Sequence, residues 1–297
     1  MSTTETLAPA PQRPHAGRWR RGGLNMSLAI GVAIIVLTVS IALLSFLPFA
    51  RYDAVTTYLS DRLLAPGTVT SMGETAWLGT DQVGRDLLRQ LMAGARVSLV
   101  VGMGTVAFAG VVGTILGFLA GYVGGRLGRL IMQAVDIQLA FPGILLAILI
   151  ASILGPTVWN VIITLSITRW VAFARIGRSI ALECKHLAYV EFASSSGAST
   201  LYILRRHILP NAATALVVLS TVEFGHAIVA EAALSFLGLG VSAETASWGW
   251  TIAAGRDYLY NAWWISTFAG AALSILMIGV GVLGDELRRR LDPRVSG

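Results

Sequence analysis

Long apolar runs separated by short basic clusters constrain this chain more than any other feature. They cover residues 26–49, 97–122, 131–154, 158–173, 212–233 and 263–284. Roughly 20 apolar residues in a helix cross the hydrocarbon of a bilayer, and a backbone in lipid must satisfy its own hydrogen bonds. The expectation is an all-α polytopic membrane protein with about six transmembrane helices. Asp136 and Gln138 mark a wet approach to the third run, and Arg169 a wet exit from the fourth. The first run exceeds the apolar region of about 7–15 residues in a cleaved leader, and no A-x-A-like exit follows it. It reads as an uncleaved anchor.

Composition closes off several function classes. The chain is 55% hydrophobic and 13% charged, with a mean hydropathy of +0.71, whereas ordinary globular chains are about 25% charged. A net charge of +6 would suggest nucleic acid in a soluble protein. Here the basic residues sit between apolar runs, as topology signals do, so the expected partner is the lipid bilayer and no nucleic acid. Lys185 is the sole lysine and is followed by His186 and Leu187, so no G-K-[ST] phosphate loop can form. If ATP drives this protein, another subunit hydrolyses it. The single cysteine, Cys184, excludes an internal disulfide and a cysteine-rich metal site. His15, His186 and His207 lack the spacing to carboxylates of a metal centre, and no metal or catalytic residue is expected.

The expected organisation is a disordered basic cytoplasmic tail at 1–25, then a first transmembrane helix and external loop at 26–95. A transmembrane core follows at 96–285, with a cytoplasmic loop at 176–211, and a cytoplasmic C-terminal tail at 286–297. Arginine placement sets the orientation. Arg13, Arg18, Arg20 and Arg21, then Arg126 and Arg129, then Arg175, Arg178, Lys185, Arg205 and Arg206, and finally Arg288, Arg289, Arg290 and Arg294 fall on one side of a six-span arrangement. Both termini are expected in the cytoplasm.

Residues 189–211, YVEFASSSGASTLYILRRHILPN, lie between two apolar runs and are too short to fold alone. A short helix meets Gly197, which can end it at positive φ. A second, basic turn follows, and Pro210 is expected to close it before the next span. Such an elbow has no core of its own, so Val190 and Phe192 are expected to be exposed and to rest on something else. Spacing alone leaves two readings open. The elbow docks in a groove on a partner protein, or it lies on the lipid surface, for which Arg205 and Arg206 are suited.

The pattern E-x-A-x-x-x-G followed by I-L-P resembles the coupling loop of ABC importer permeases. Other segments extend the likeness over nearly the whole chain: Gly79-Thr80-Asp81-Gln82-Val83-Gly84-Arg85-Asp86, continuing to Gly94-Ala95-Arg96-Val97-Ser98-Leu99; Glu231-Ala232-Ala233-Leu234-Ser235-Phe236-Leu237-Gly238-Leu239-Gly240; Trp248-Gly249; Gly255-Arg256-Asp257-Tyr258-Leu259; Ala262-Trp263-Trp264; Leu283-Gly284-Asp285; and Leu291-Asp292-Pro293-Arg294. In this order and spacing they resemble the C-type permease subunit of dipeptide, oligopeptide and nickel importers. The resemblance implies a type I ABC importer permease fold in a bacterial inner membrane. It also implies a second, B-type permease, two cytoplasmic ABC ATPases that use ATP and Mg, and an external solute-binding protein. No cofactor would be bound by this chain. The implied coupling residues are Glu191, Phe192, Ala193, Gly197, Ile208, Leu209 and Pro210. The family's usual Glu-Ala-Ala is here Glu191-Phe192-Ala193 followed by three serines. The bulkier Phe192 implies a fit particular to this transporter's own ATPase. Peptide import is the base-rate substrate, with nickel, opines or other small solutes as alternatives.

Ionisable residues within the spans form a second set, because charge in a membrane is costly and by default marks a polar path. Glu223 and His226 share a face of the fifth run, being three apart. They pair with each other, contact a partner permease, or line a translocation path. Glu231 lies toward the outer end of the same run. Asp136 is expected to touch the coupling region rather than substrate, and Arg169 to reach toward headgroups. Asp81, Arg85 and Asp86 are expected to order the external loop by ion pairing. Gly110, Gly113, Gly117 and Gly121 recur at about helical spacing and predict a close helix–helix contact, in this chain or with a partner. A stand-alone secondary transporter would show inverted repeats, and none is seen; a membrane-embedded enzyme would need a catalytic constellation, which is also missing.

Overall fold

The structure is a computed structural model and describes residues 26–50, 52–53, 56–242 and 244–291. The expected tails at 1–25 and 292–297, with Arg13, Arg18, Arg20, Arg21 and Arg294, lie outside the described residues. Among those described, ten helices carry the fold: α1 (Met26–Leu44), α2 (Leu87–Phe118), α3 (Gly125–Leu139), α4 (Gly143–Leu154), α5 (Val158–Lys185), α6 (Ala188–Ser195), α7 (Thr200–Ile203), α8 (Leu209–Phe236), α9 (Trp248–Gly255) and α10 (Trp264–Leu291). The departures from an all-helical chain among the described residues are a small antiparallel hairpin of β1 (Thr68–Val69) and β2 (Thr75–Ala76), with Thr68 opposite Ala76 and Val69 opposite Thr75, and an isolated antiparallel bridge between Thr80 and Asp86.

Four of the described helices are long and apolar enough to cross a membrane. These are α1, α2 with its extension to Val123, the continuous helix from Thr200 through Phe236, and α10. The expected third span, 131–154, is not one straight helix. It breaks into α3 and α4, which meet at 92° and count as a fifth crossing only if taken together. Pro142 stands at the N-cap of α4 with φ −58° and ψ 120°, and a proline disfavours helix in the residue before it. The expected fourth span, 158–173, is longer than its apolar run. As α5 it continues to Lys185 over 28 residues, and Arg169, Arg175 and Arg178 leave it less apolar than the other four. Two further boundaries differ. The first turns of α2 include residues 87–95, the end of the expected external loop, and α10 runs through Arg288–Arg290 into the expected tail.

The glycine stripe decides how the core is assembled. A Cβ on Gly113 would come within 2.3 Å of the Trp170 carbonyl oxygen, on Gly117 within 2.4 Å of that of Ala174, and on Gly121 within 2.6 Å of that of Arg178. The helix against which α2 packs is therefore α5 of the same chain, with backbones in direct contact. The two run parallel, because the contacts advance together along both. Helix α8 returns antiparallel across them, meeting α5 at one end through Val161 and Leu234 and at the other through Cys184 and Ala212. Along α10 lies α1, where Gly31 faces Gly279 and Leu283.

The far end of the bundle, opposite the elbow, is held by indole hydrogen bonds. Trp248 donates from Nε1 to the Leu91 carbonyl at 3.0 Å, and Trp264 to that of Thr80 at 3.2 Å. A Cβ on Gly94 would come within 2.6 Å of Trp248, and on Gly79 within 2.7 Å of Trp264. The motif residues around Gly79, Gly94 and Trp248 thus anchor α9 and α10 to the start of α2.

Candidate functional site

Residues 188–211 form two helical legs on a small core. Helix α6 ends at Ser196, Gly197 turns the chain at φ +84°, and Ser199 caps α7 by accepting from the Tyr202 amide. Contrary to expectation, Pro210 does not close the second leg. The backbone passes through a wide i→i+5 turn at Leu204–Ile208 and continues helical from Thr200 to Phe236. Proline lacks an N–H and crowds the preceding turn, and widened turns absorb such misfits. The Asn211 side chain donates to the His207 carbonyl at 2.6 Å and to the Tyr189 hydroxyl at 2.9 Å, tying the legs together.

Against the expectation from its length, the elbow also has a core. Val190 is 1% exposed and packs with Ile203, Ile208, Phe118, Ala181, Cys184 and Ala212. A continuous α8 brings Ile208 and Ala212 over α6, and that is what buries Val190. Phe192, by contrast, is 75% exposed, as expected, and Leu201 on the second leg is 74% exposed. Glu191 faces outward with its carboxylate 3.8 Å from His186 Nδ1. Ala193 is half-buried against the core, and Leu209 is exposed. The backed double leg thus carries an aromatic and an aliphatic side chain outward.

A second cluster sits near the middle of α5 and α8. The Glu223 carboxylate is buried, 3.6 Å from Arg169 Nη1 and 3.7 Å from His226 Nδ1. Arg169 thus turns to Glu223 across the helix pair instead of toward headgroups. Glu223 and His226 share a face as their spacing requires, whereas Asp136 is not brought to them. Asp136 stands exposed on α3 and makes no ion pair among the described residues. Its neighbour Gln138 carries the structural role there. The Gln138 amide donates to the carbonyls of Ile167 at 2.9 Å and Thr168 at 3.1 Å, and its oxygen accepts from the Trp170 indole at 2.7 Å. These bonds fasten the α3–α4 break to α5. A polar residue beside a Pro-Gly pair was the available signal for that role.

Asp81, Arg85 and Asp86 occupy the loop before α2, and their carboxylates serve backbone N–H groups. Asp81 Oδ1 accepts from Val83 at 2.9 Å and Arg85 at 2.8 Å, and Asp86 caps α2 by accepting from Arg89 at 2.8 Å. Arg85 reaches the Tyr52 hydroxyl at 3.3 Å, and an ion pair in the same loop joins Arg89 to Glu74 at 2.7 Å. Burial pushes the Asp81 and Asp86 carboxyls above the usual carboxylate range, with the backbone hydrogen bonds opposing that shift. Glu231, to which the sequence assigns only a place toward the outer end of its span, is fully buried on α8 and accepts from Ser235 at 2.7 Å. No group of three or more His, Cys, Asp or Glu suited to a metal occurs among the described residues.

Comparison with known proteins gives this geometry its setting. Residues 113–297 match the family described as the binding-protein-dependent transport system inner membrane component. The probable D,D-dipeptide transport system permease protein DdpC of Escherichia coli is 34% identical, covering 100% of this chain and 99% of that protein. The di/tripeptide transport system permease protein DppC of Pseudomonas aeruginosa is 38% identical over 94% of this chain and 91% of its own. Among solved structures, inward-facing conformations of the MetNI methionine ABC transporter match with a TM-score of 0.56 at 21% identity, over 68% of this chain and 96% of that one, which shows the fold. The family match and these relatives place the chain, a multi-pass membrane protein, in the family of permease subunits of binding-protein-dependent ABC importers.

Proposed function

We propose that this chain is one of two permease halves of an ATP-driven importer of short peptides in a bacterial inner membrane. It performs no hydrolysis. A B-type permease encloses the path with it, two cytoplasmic ATPases supply ATP and Mg chemistry, and an external binding protein delivers the peptide. The observation that carries this reading is the elbow, whose buried Val190 fixes two legs that expose Phe192 and Leu201. Exposed apolar anchors on a rigid helical leg fit the helix-in-groove mode of docking. Peptide as cargo rests on the relatives, whose names are those of dipeptide and di/tripeptide permeases.

Orientation follows from charge. The contact of Gly121 with Arg178, and the cavity that Asn211 and Arg288 line together, set the end of α2, the second half of α5 and the end of α10 at the elbow end of the bundle. Arg126, Arg178, Lys185, Arg205, Arg206 and Arg288 gather there, which by the positive-inside rule makes it cytoplasmic. Both termini and the elbow then share that side. ATPase closure would press the elbows of the two permeases together and rock them between inward- and outward-facing states by rigid-body motion.

The test is co-purification of the chain with its co-expressed neighbouring subunits, for wild type and Gly197→Pro, with ATPase activity read in both. Wild type is expected to carry two ATPases, and the variant to lose them or their stimulation. Wild type that brings down no ATPase in any detergent would overturn the proposal.

A further inference from the structure

We infer that the Arg169–Glu223–His226 cluster is where the path contacts the charged ends of a passing peptide, Arg169 meeting the carboxylate and Glu223 the ammonium; this rests on the importer reading above. Arg169 is twelfth of the 28 residues of α5 and Glu223 fifteenth of the 28 of α8, so both charged residues lie near the middle of their helices. The cluster is closed on one side and open on the other. Glu223 is 8% exposed at its side chain, whereas Arg169 and His226 are 31% and 53% exposed. A guanidinium one-third open between apolar helices belongs against water or protein, not hydrocarbon.

Two cavities supply that opening. Arg169 is on the wall of one of about 240 Å³, beside Gln138, Thr168 and Ala230 at the α3–α4 break. His226 is on the wall of a larger one of about 1050 Å³ between α5, α8 and α10, which extends to Asn211 and Arg288 at the elbow end. Glu223 lies on the wall of neither and links them through its pairs with Arg169 and His226. Its ion pairs are longer than hydrogen bonds, and its buried Oε2 has no donor. Arg169 makes no hydrogen bond among the described residues. A carboxylate short of donors beside a guanidinium short of acceptors is matched by a ligand bearing both an ammonium and a carboxylate. A metal cation would meet Arg169 unfavourably, and a neutral solute would add no charged partner to either member of the pair.

The experiment uses the whole importer in proteoliposomes, with the binding protein saturated by a free tripeptide, its C-terminal amide or its N-acetyl form. Wild type is expected to move the free peptide roughly tenfold faster than the amide, the worth of one charge-assisted hydrogen bond. Arg169→Gln should bring that ratio near one, and Arg169→Lys should restore most of it. Should Arg169→Gln not assemble, Glu223→Gln is read in the same way against the N-acetyl peptide. In parallel, His226→Cys should react with a water-borne charged thiol reagent in the assembled complex. A Val36→Cys control on the exposed face of the apolar α1 should not, and buried Cys184 gives the background. Unchanged ratios alongside wild-type uptake, or an unreactive His226→Cys sealed against the second permease, would overturn this assignment alone. Wild type that takes up no peptide with ATP overturns the importer reading and this assignment with it.

Discussion

Asp86 accepts from the Arg89 amide at the first turn of α2. Its replacement by alanine is expected to lower stability by about 0.5–2 kcal/mol, the usual worth of such a cap; thermal unfolding in detergent measures it, and an unchanged midpoint would refute the role. Asp81 predicts a pH dependence. Burial raises its carboxyl above the usual range, so the folded state holds that proton more tightly than the unfolded one. Protonation therefore favours folding, and stability falls as pH climbs from the usual carboxylate range through the raised value. Asp81→Asn should flatten that part of the curve of midpoint against pH, and parallel curves for the two proteins would contradict it. The acidic loop was legible, but the cap was not, because the external loop was expected to run to residue 95 and α2 begins at Leu87. That these carboxylates would bond amides was not legible, because only the folded loop brings Val83 and Arg85 amides onto Asp81.

Among the elements, α2 and α5 are the pair on which the rest is built. Gly117→Leu would drive a side chain into the Ala174 carbonyl, whose oxygen lies 2.4 Å from the point a Cβ would occupy. Overpacking typically costs about 1–3 kcal/mol, and here the obstacle is backbone, so loss of folded permease from the membrane fraction is expected. Expression at the wild-type level with an unshifted midpoint would show that α2 can move away. Gln138→Leu removes three hydrogen bonds at the α3–α4 break. It should cost about 1–3 kcal/mol, since the Trp170 indole is left without its acceptor, and protease access at residues 140–142 reports it. The small-residue period announced a close contact, yet its partner could have been any helix. Only the assembled bundle shows that it is α5. The bend at Pro142 was likewise hidden inside one apolar run, because hydropathy counts residues and is blind to direction.

For the molecule as a whole, the elbow is the lever that joins this chain to the ATPases in the proposed machine. Phe192→Asp should leave the permease folded, since Phe192 is 75% exposed. It should cut ATPase association by roughly tenfold or more, the loss expected of a buried aromatic anchor. Pull-down of ATPase with the variant measures this, and undiminished capture would mean that Phe192 is not the anchor. The linear chain was enough to establish the solvent this protein lives in, its family and the position of its elbow. Hydropathy, arginine placement and motif order are properties of residues read one after another. Folding settled what touches what. It buried Val190 under a helix that runs through Pro210, turned Arg169 from the headgroups to Glu223, and set the glycine stripe against α5. Those outcomes depend on helices distant in sequence meeting at defined depth and angle, which close packing fixes and linear pattern does not encode.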